Sequence, residues 1–515
     1  MIGIGARRAL LLFTSLSTTA CASAGASEDP GRPPLLVGLP AIVDSVRNTP
    51  PLDRTHWGVG AYDYDADRML LRVNVDRHFV PASNMKLLVT AAALGLLGPD
   101  FRYSTVVQAE DLRDGTAASL VVRGAGDPTL SARFYGEPLA ALAQLADSIV
   151  ASGVRRVHGP LVVDATYFDA QHVHPTWETG DLGWYYAAPV AAFAVEEGTL
   201  SAVVGPGATV GAPATVDLLT PSDVVVFEST AVTDTAFSEN TIEFARDPET
   251  NTFRFSGRVP LNAEADAYDV TVPDPAAYAG QALAELLRER GVEISEPVLV
   301  LNQGTPEAQA PRWYRDAPGF TTVATMQSPR MAEIVEAILE PSQNWIAEQV
   351  LKTLGAERGE GGSWRAGAEV ERRWLIDVAG LDSAALHIVD GSGLSAQNLL
   401  TPDAIMRLLY HASEQDWGPI YRAAMAEPGE EGSTLENRLH GYGGRVFAKT
   451  GTITHVNSLS GYLIAADGRE IIFSVLSNAS GVPSSFVRSG IDRIVEALAA
   501  VGTPAPVVPE RRLTP

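Results

Sequence analysis

Pro81-Ala82-Ser83-Asn84-Met85-Lys86-Leu87-Leu88-Val89 is the stretch from which the rest of the chain can be read. A proline precedes the serine. Apolar residues and an alanine run follow the lysine, so the pattern predicts a buried helix from about Ser83 to Leu97. Lys86 lies about one turn from Ser83 on the same helix face. A serine hydroxyl is a weak nucleophile and needs an adjacent base. A lysine amine can be that base only when neutral, and burial or a neighbouring cation favours that form. Taken alone, the same residues equally suit a helix cap followed by a surface lysine.

Working outward, Trp57–Tyr62 and Met69–Val73 are apolar runs separated by the Asp-rich turn 63–68. They predict a hairpin. Leu459–Ala465 and Ile471–Leu476 flank Asp467-Gly468 and predict a second one. A helix is expected from about Ser485 to Ala500, with Phe486, Ile491, Ile494, Val495 and Leu498 on its apolar stripe. Between these ends, residues 104–304 hold short runs rich in Val, Ala and Thr, broken by Gly, Pro and Asp. That region reads as β-rich inserted domains. Helical pattern returns at Met331–Leu339 and Trp345–Leu354. The expected organisation is one catalytic domain from residues 36–103 and 305–501, interrupted by the insertion, with a flexible tail at 502–515.

Two further motifs follow in order. Ser342-Gln343-Asn344 opens the segment Trp345-Ile346-Ala347-Glu348. It reads either as a helix cap made by Ser342 or Asn344, or as a proton relay at Ser342 with an amide-holding Asn344. Lys449-Thr450-Gly451-Thr452 follows Val446-Phe447-Ala448 and precedes the second hairpin. Glycine weakens a strand unless another backbone must come close. A peptide docking along the strand edge would supply that reason, with Lys449 and Thr450 holding a carboxylate.

Ser-x-x-Lys, Ser-x-Asn and Lys-Thr-Gly in this order form the signature of penicillin-recognising serine enzymes. The chain resembles the class C low-molecular-mass penicillin-binding proteins, the D-alanyl-D-alanine carboxypeptidase/endopeptidase family. Gly126-Asp127-Pro128-Thr129-Leu130, Ala188-Pro189, Asp390-Gly391-Ser392-Gly393-Leu394 and Ser460-Gly461-Tyr462 carry the resemblance further, as does the long gap between Ser83 and Ser342. It implies an α+β fold: a penicillin-binding-protein/β-lactamase-like transpeptidase domain, an antiparallel sheet flanked by helices, interrupted by β-rich inserted domains. It implies that Ser83 attacks the D-Ala-D-Ala carbonyl of peptidoglycan stem peptides and that Lys86 takes its proton. Ser342 would pass a proton to the leaving amine, Asn344 would hold the substrate amide, and Lys449 and Thr450 would bind the terminal carboxylate. The N–H groups of Ser83 and Thr452 would form the oxyanion hole. β-Lactams would act as covalent inhibitors. Asp181 stands eight residues before Pro189, where relatives that cleave diaminopimelate peptides carry a carboxylate for the side-chain amine. A solvated loop aspartate is the alternative.

The 515-residue chain carries a formal net charge of −24. That disfavours non-specific binding to nucleic acid or anionic lipid. Arg7-Arg8, the mostly apolar run Ala9–Leu16 and the small residues that follow read as an export signal over residues 1–21, with a tether at 22–35. The expected location is the periplasm or cell envelope. Cys21 is the sole cysteine and stands where lipoproteins carry lipid, although Thr18 replaces the usual leucine. Cleavage after Ala22-Ser23-Ala24 is the other route, so membrane association rests on Cys21 alone. No cofactor is implied. His172 and His174 have strand-like ligand spacing without a third ligand and read as a loop pair. A β-lactamase and a non-catalytic wall-binding module are the rival readings. The first lacks a Glu-x-x-Leu-Asn segment between the first two motifs.

Overall fold

The computed structural model describes residues 38–219, 224–247, 250–303 and 319–502. The leader, tether and Cys21 expectations, and all but the first residue of the tail, lie outside these residues. Strand alternation decides the sheet made from the two chain ends. In the strand Glu470–Asn478, Ile471, Phe473 and Val475 pack with Val43, Val46, Ile491 and Ile494. Ile472 and Leu476 instead pack with Ile405, Leu408 and Leu409. Successive side chains point to opposite faces, so a strand buried at nearly every position must be covered on both.

The covering elements follow from this. Helices Gly38–Asn48 and Ser484–Ala499 lie on one face, and helix Pro402–Ser413 on the other. The sheet is antiparallel throughout, in the order Arg68–Val73, His56–Asp63, Glu470–Asn478, Val456–Ile464, Val446–Ile453. Both expected hairpins are therefore present, joined side by side through the pairing of His56–Asp63 with Glu470–Asn478. Helix Met85–Leu96 is buried at every position from Met85 to Leu94 and is enclosed by helices Met331–Leu339, Asn344–Arg358 and Trp364–Asp377. A helix that is apolar all round can only be central. At Gly95 an added Cβ would lie 2.4 Å from the Trp374 ring, so glycine permits the close crossing with Trp364–Asp377.

The middle of the chain has its expected β-rich character, with two features the sequence reading did not include. A mixed sheet has the order Leu299–Leu301, Leu161–Asp164, Leu120–Arg123, Ser104–Glu110, Phe320–Gln327. Its last strand comes from beyond residue 304, so the inserted sheet draws an edge from sequence assigned to the catalytic part. Two helices, Ala140–Ala151 and Pro275–Glu289, pack against each other and against this sheet. The first buries Ala141, Leu142, Leu145, Ala146 and Ile149, a helical period. The second starts at an Asp274 cap whose carboxylate accepts from Ala277 N at 3.0 Å, with Pro275 next. Four smaller sheets, built around Thr199–Gly205, Thr252–Ser256, Arg156–Val157 and the pair Val232–Asp234 with Arg258–Pro260, complete the described part of the insertion.

Phe486 also departs from expectation. It stands on helix Ser484–Ala499 but is 53 % exposed, while Val487, Ile491, Ile494, Val495 and Leu498 face the sheet. The stripe runs through Val487, one position on. Ile494→Ala should cost about 2–5 kcal/mol of unfolding free energy, because it opens a cavity under the sheet. Phe486→Ala should stay within about 0.5 kcal/mol. Equilibrium urea unfolding of the two variants checks the contrast.

Candidate active site

Ser83 sits in a single 3₁₀ turn, Ala82–Asn84, that leads directly into helix Met85–Leu96. Ala82 has φ of 49°, a left-handed conformation that costs free energy for any residue with a Cβ. The surroundings hold it there. Ser458 Oγ donates to Pro81 O at 2.8 Å, and Asn84 Nδ2 donates to Lys449 O at 2.9 Å. Asn478 accepts from Val80 N at 2.8 Å and donates to Val80 O at 3.0 Å. Two glycines let backbones close on this turn. A Cβ on Gly393 (φ 82°) would lie 1.9 Å from Ala82 O. One on Gly451 would lie 3.0 Å from Ser83 N. The backbone that requires Gly451 is thus the chain's own turn at Pro81–Ser83, which the strand crosses at contact distance.

Lys86 is fully buried. Its Nζ lies 2.9 Å from Ser83 Oγ, 2.6 Å from Asn344 Oδ1 and 2.8 Å from Ser392 O. Burial pulls the amine down to about 7, against the opposing pull of the Glu348 and Asp390 carboxyls. Lys449 is buried too, on the strand Val446–Ile453, and its Nζ has no hydrogen-bond partner among the described residues. Burial, and then the charge of Lys86, push it well below the usual lysine range.

The Ser392 carbonyl belongs to a rigid loop. Glu348 Oε1 accepts from Ser392 N at 2.7 Å; its Oε2 accepts from Gly391 N at 3.0 Å and Trp364 Nε1 at 2.7 Å. Asp390 accepts from Gly393 N, Ser395 N, Asn398 Nδ2 and Trp177 Nε1 at 2.7–3.0 Å.

The second motif enters the site in an unexpected manner. Neither Ser342 nor Asn344 caps the following helix. Gln343 does, its side-chain oxygen accepting from Trp345 N at 2.8 Å. Ser342 takes a φ of 67°, and Asn344 is left to face Lys86. The Gln343 amide is held by Glu197, which also pairs with Arg133 at 2.5 Å. Asn344 Nδ2 donates to Tyr186 O at 2.8 Å, and the Tyr186 hydroxyl donates to Asp181 Oδ1 at 3.0 Å. One tyrosine of the insertion therefore steadies Asn344 and Asp181 together.

These groups share a cavity of about 540 Å³, lined by Ser83, Ser342, Asn344, Thr450, Gly451, Thr452 and Asp181. Arg133, Arg438 and Arg488 complete its charged rim. Lys86 and Lys449 lie behind this lining. Sequence reasoning gave no role to Glu348, Ser392, Tyr186 or Gln343. Glu348 and Ser392 lay inside segments that were read, but a carbonyl acceptor or a buried carboxylate leaves no spacing signature. His172 contacts Val190 O at 2.9 Å and His174 contacts Thr176 Oγ1 at 2.9 Å. Among the described residues no three His, Cys, Asp or Glu side chains are grouped to share a metal ion.

Several known proteins are similar to this chain. The D-alanyl-D-alanine carboxypeptidase of an Actinomadura species is 34 % identical over 496 residues, covering 93 % of this chain and 88 % of the relative. Carboxypeptidase DacB of Mycolicibacterium smegmatis is 27 % identical, covering 82 % of this chain and 75 % of the relative. The crystal structure of penicillin-binding protein 4 from Haemophilus influenzae superposes with a TM-score of 0.75 at 19 % identity, covering 89 % of this chain and 99 % of that one. The expected fold class is therefore the observed one. Residues 39–500 match the model of the D-Ala-D-Ala carboxypeptidase 3 (S13) family, to which this chain belongs.

Proposed function

We propose that this protein hydrolyses D-Ala-containing peptide bonds of peptidoglycan through an acyl-enzyme on Ser83, as a carboxypeptidase and, on cross-linked strands, an endopeptidase. The contact between Ser83 Oγ and a buried Lys86 amine at 2.9 Å carries the reading. With its amine drawn to about 7, Lys86 accepts the hydroxyl proton as Ser83 attacks the carbonyl. The N–H groups of Ser83 and Thr452 stabilise the oxyanion; the close crossing of Gly451 and Ser83 N supports that pairing. Asn344 uses one N–H on Tyr186 O and offers its second to the substrate amide. Ser342 returns the proton to the leaving amine. Thr450 and Lys449 receive the terminal carboxylate, and an arriving anion favours a protonated Lys449. Water then releases the acyl group.

Asp181 meets the free amine of the residue upstream of the scissile pair. Its place on the cavity wall, beside Tyr186, supports this role. The leader read in residues 1–21 supports export to the envelope, with Cys21 carrying lipid as the mature N-terminus. Radiolabelled palmitate should enter the wild type but not Cys21→Ser, and a mature N-terminus beyond residue 22 would refute the anchor.

Benzylpenicillin should add once to the intact protein, with the full mass of the antibiotic, because the amine of the opened ring stays attached. Peptide mapping should put the adduct on Ser83 and Ser83→Ala should abolish it; labelling that survives the substitution refutes the assignment. Acylation should fall as pH drops below about 7, where Lys86 becomes protonated. For Asp181→Ala, kcat/KM should drop roughly five- to hundredfold on peptides with a free upstream amine, the loss of one charge-assisted hydrogen bond. It should change little when that amine is acetylated. Mass spectrometry of products from cross-linked and uncross-linked fragments separates the two activities.

A further inference from the structure

We propose that Glu348 is a positioning residue for the base: its carboxylate fixes the carbonyl of Ser392, and that carbonyl fixes the Lys86 amine against Ser83. This rests on the reading of Ser83 and Lys86 given above. Helix Asn344–Arg358 carries both ends of the device. Asn344, at its first position, accepts from Lys86 through Oδ1 at 2.6 Å. Glu348, one turn on, reaches the loop on the other side of the amine. Its two oxygens take Ser392 N at 2.7 Å, Gly391 N at 3.0 Å and Trp364 Nε1 at 2.7 Å. Ser392 O then receives Lys86 Nζ at 2.8 Å. The helix thus grips the lysine twice, directly through Asn344 and indirectly through a peptide plane whose N–H it holds.

The charge of Glu348 matters as well as its shape. The residue is fully buried, and burial followed by the nearby Asp390 carboxyl pushes it up to about 7. Among the described residues three N–H donors and no acceptor face its oxygens, an arrangement that suits the ionised form. The other charged or titratable groups around the pair are few. Asp390 comes from the loop, Glu371 from helix Trp364–Asp377, Lys352 from the Glu348 helix itself, and Lys449 from the site strand; His174 faces Asp390 and Lys352. Among the described residues both oxygens of Glu371 lack a partner, and burial raises it well above the usual carboxylate range. Asp390 is spent on three donors of its own loop and on Trp177 Nε1 from the insertion. Glu348 is the first of the two carboxylates that pull Lys86 upward. It therefore positions the amine and keeps it from losing its proton affinity altogether.

Glu348→Gln separates these effects from a merely structural role. A glutamine has one acceptor oxygen, so its NH₂ must face either Ser392 N or the pair Gly391 N and Trp364 Nε1. The second-order rate of benzylpenicillin acylation should fall about ten- to hundredfold, the loss expected for a broken hydrogen bond to a charged buried group. An anion near an amine stabilises the ammonium form, so removing it must lower the Lys86 pKa. The midpoint of the acid limb of the acylation profile should accordingly move to lower pH. Glu348→Asp keeps the charge but not the reach. It should lose rate while holding the midpoint near that of wild type, and it decides the matter if the glutamine variant does not fold. Rates are normalised to the fraction of protein that penicillin finally labels at Ser83. Wild-type rates in the variants, or a lost rate with an unmoved midpoint in Glu348→Gln, overturn the proposal. A wild type that is not labelled at Ser83 refutes the catalytic reading instead.

Discussion

Burying one lysine amine without leaving it stranded is the constraint around which the site is built. Lys86 has no exposed surface, and an ammonium taken out of water without partners is far too costly to persist. Its three neighbours resolve this in both protonation states. As an ammonium it donates to Asn344 Oδ1, Ser392 O and Ser83 Oγ. As a neutral amine it keeps the two carbonyl acceptors, and its lone pair turns to the Ser83 hydroxyl. The same heavy-atom positions suit both protonation states, so on the proposed reading no rearrangement burdens a proton transfer. Each neighbour arrives from a different part of the chain, and the fold has to bring all three to one point.

That requirement explains why the insertion belongs to the site. Asn344 is oriented by Tyr186 O, and the preceding Gln343 is held by Glu197, which is itself paired with Arg133. Tyr186, Glu197 and Arg133 all come from the inserted segment. The rest of the chain supplies the Ser83 turn, the loop at Ser392 and the strand of Lys449. The insertion supplies the hydrogen bonds that fix the second motif, along with Asp181, and so builds one wall of the cavity.

Motifs and periodicity were legible; partners were not. Ser83, Lys86, Ser342, Asn344 and Lys449 could be named because side-chain chemistry imposes their spacing, and the hairpins because alternation and Asp467-Gly468 mark them. The cap at Gln343 was missed because a Ser or Asn is the usual capping residue, and here both flanking candidates face the site instead. Helix Pro275–Glu289 was passed over although Asp274-Pro275 announces it, since the surrounding Val- and Thr-rich runs favour strands. The strand Phe320–Gln327 joins the inserted sheet through a pairing with Ser104–Glu110 more than two hundred residues away, which no local pattern encodes. Glu348 reads as an ordinary polar residue of an amphipathic helix. Its burial follows from the loop and from helix Trp364–Asp377, which close over it.

Charge reaches the same point by another route. The chain carries a formal net charge of −24, yet Asp181 is the one acidic residue among those lining the cavity, against Arg133, Arg438 and Arg488. Glu197 offsets Arg133 and Asp492 offsets Arg438, at 2.5 and 2.6 Å, so much of that positive charge is already balanced. Arg488, on the exposed side of helix Ser484–Ala499, has no such counter-ion among the described residues. Behind the lining, Lys86 and Lys449 are both depressed by burial. A carboxylate entering here leaves an acidic surface for a cleft whose cations gain proton affinity as it approaches. The attraction thus strengthens at the bottom of the cavity, where Ser83 lies, rather than at the mouth. On the proposed reading, an amine entering alongside would meet a single carboxylate on the wall built by the insertion, and the two opposite charges would fix the direction of a bound peptide.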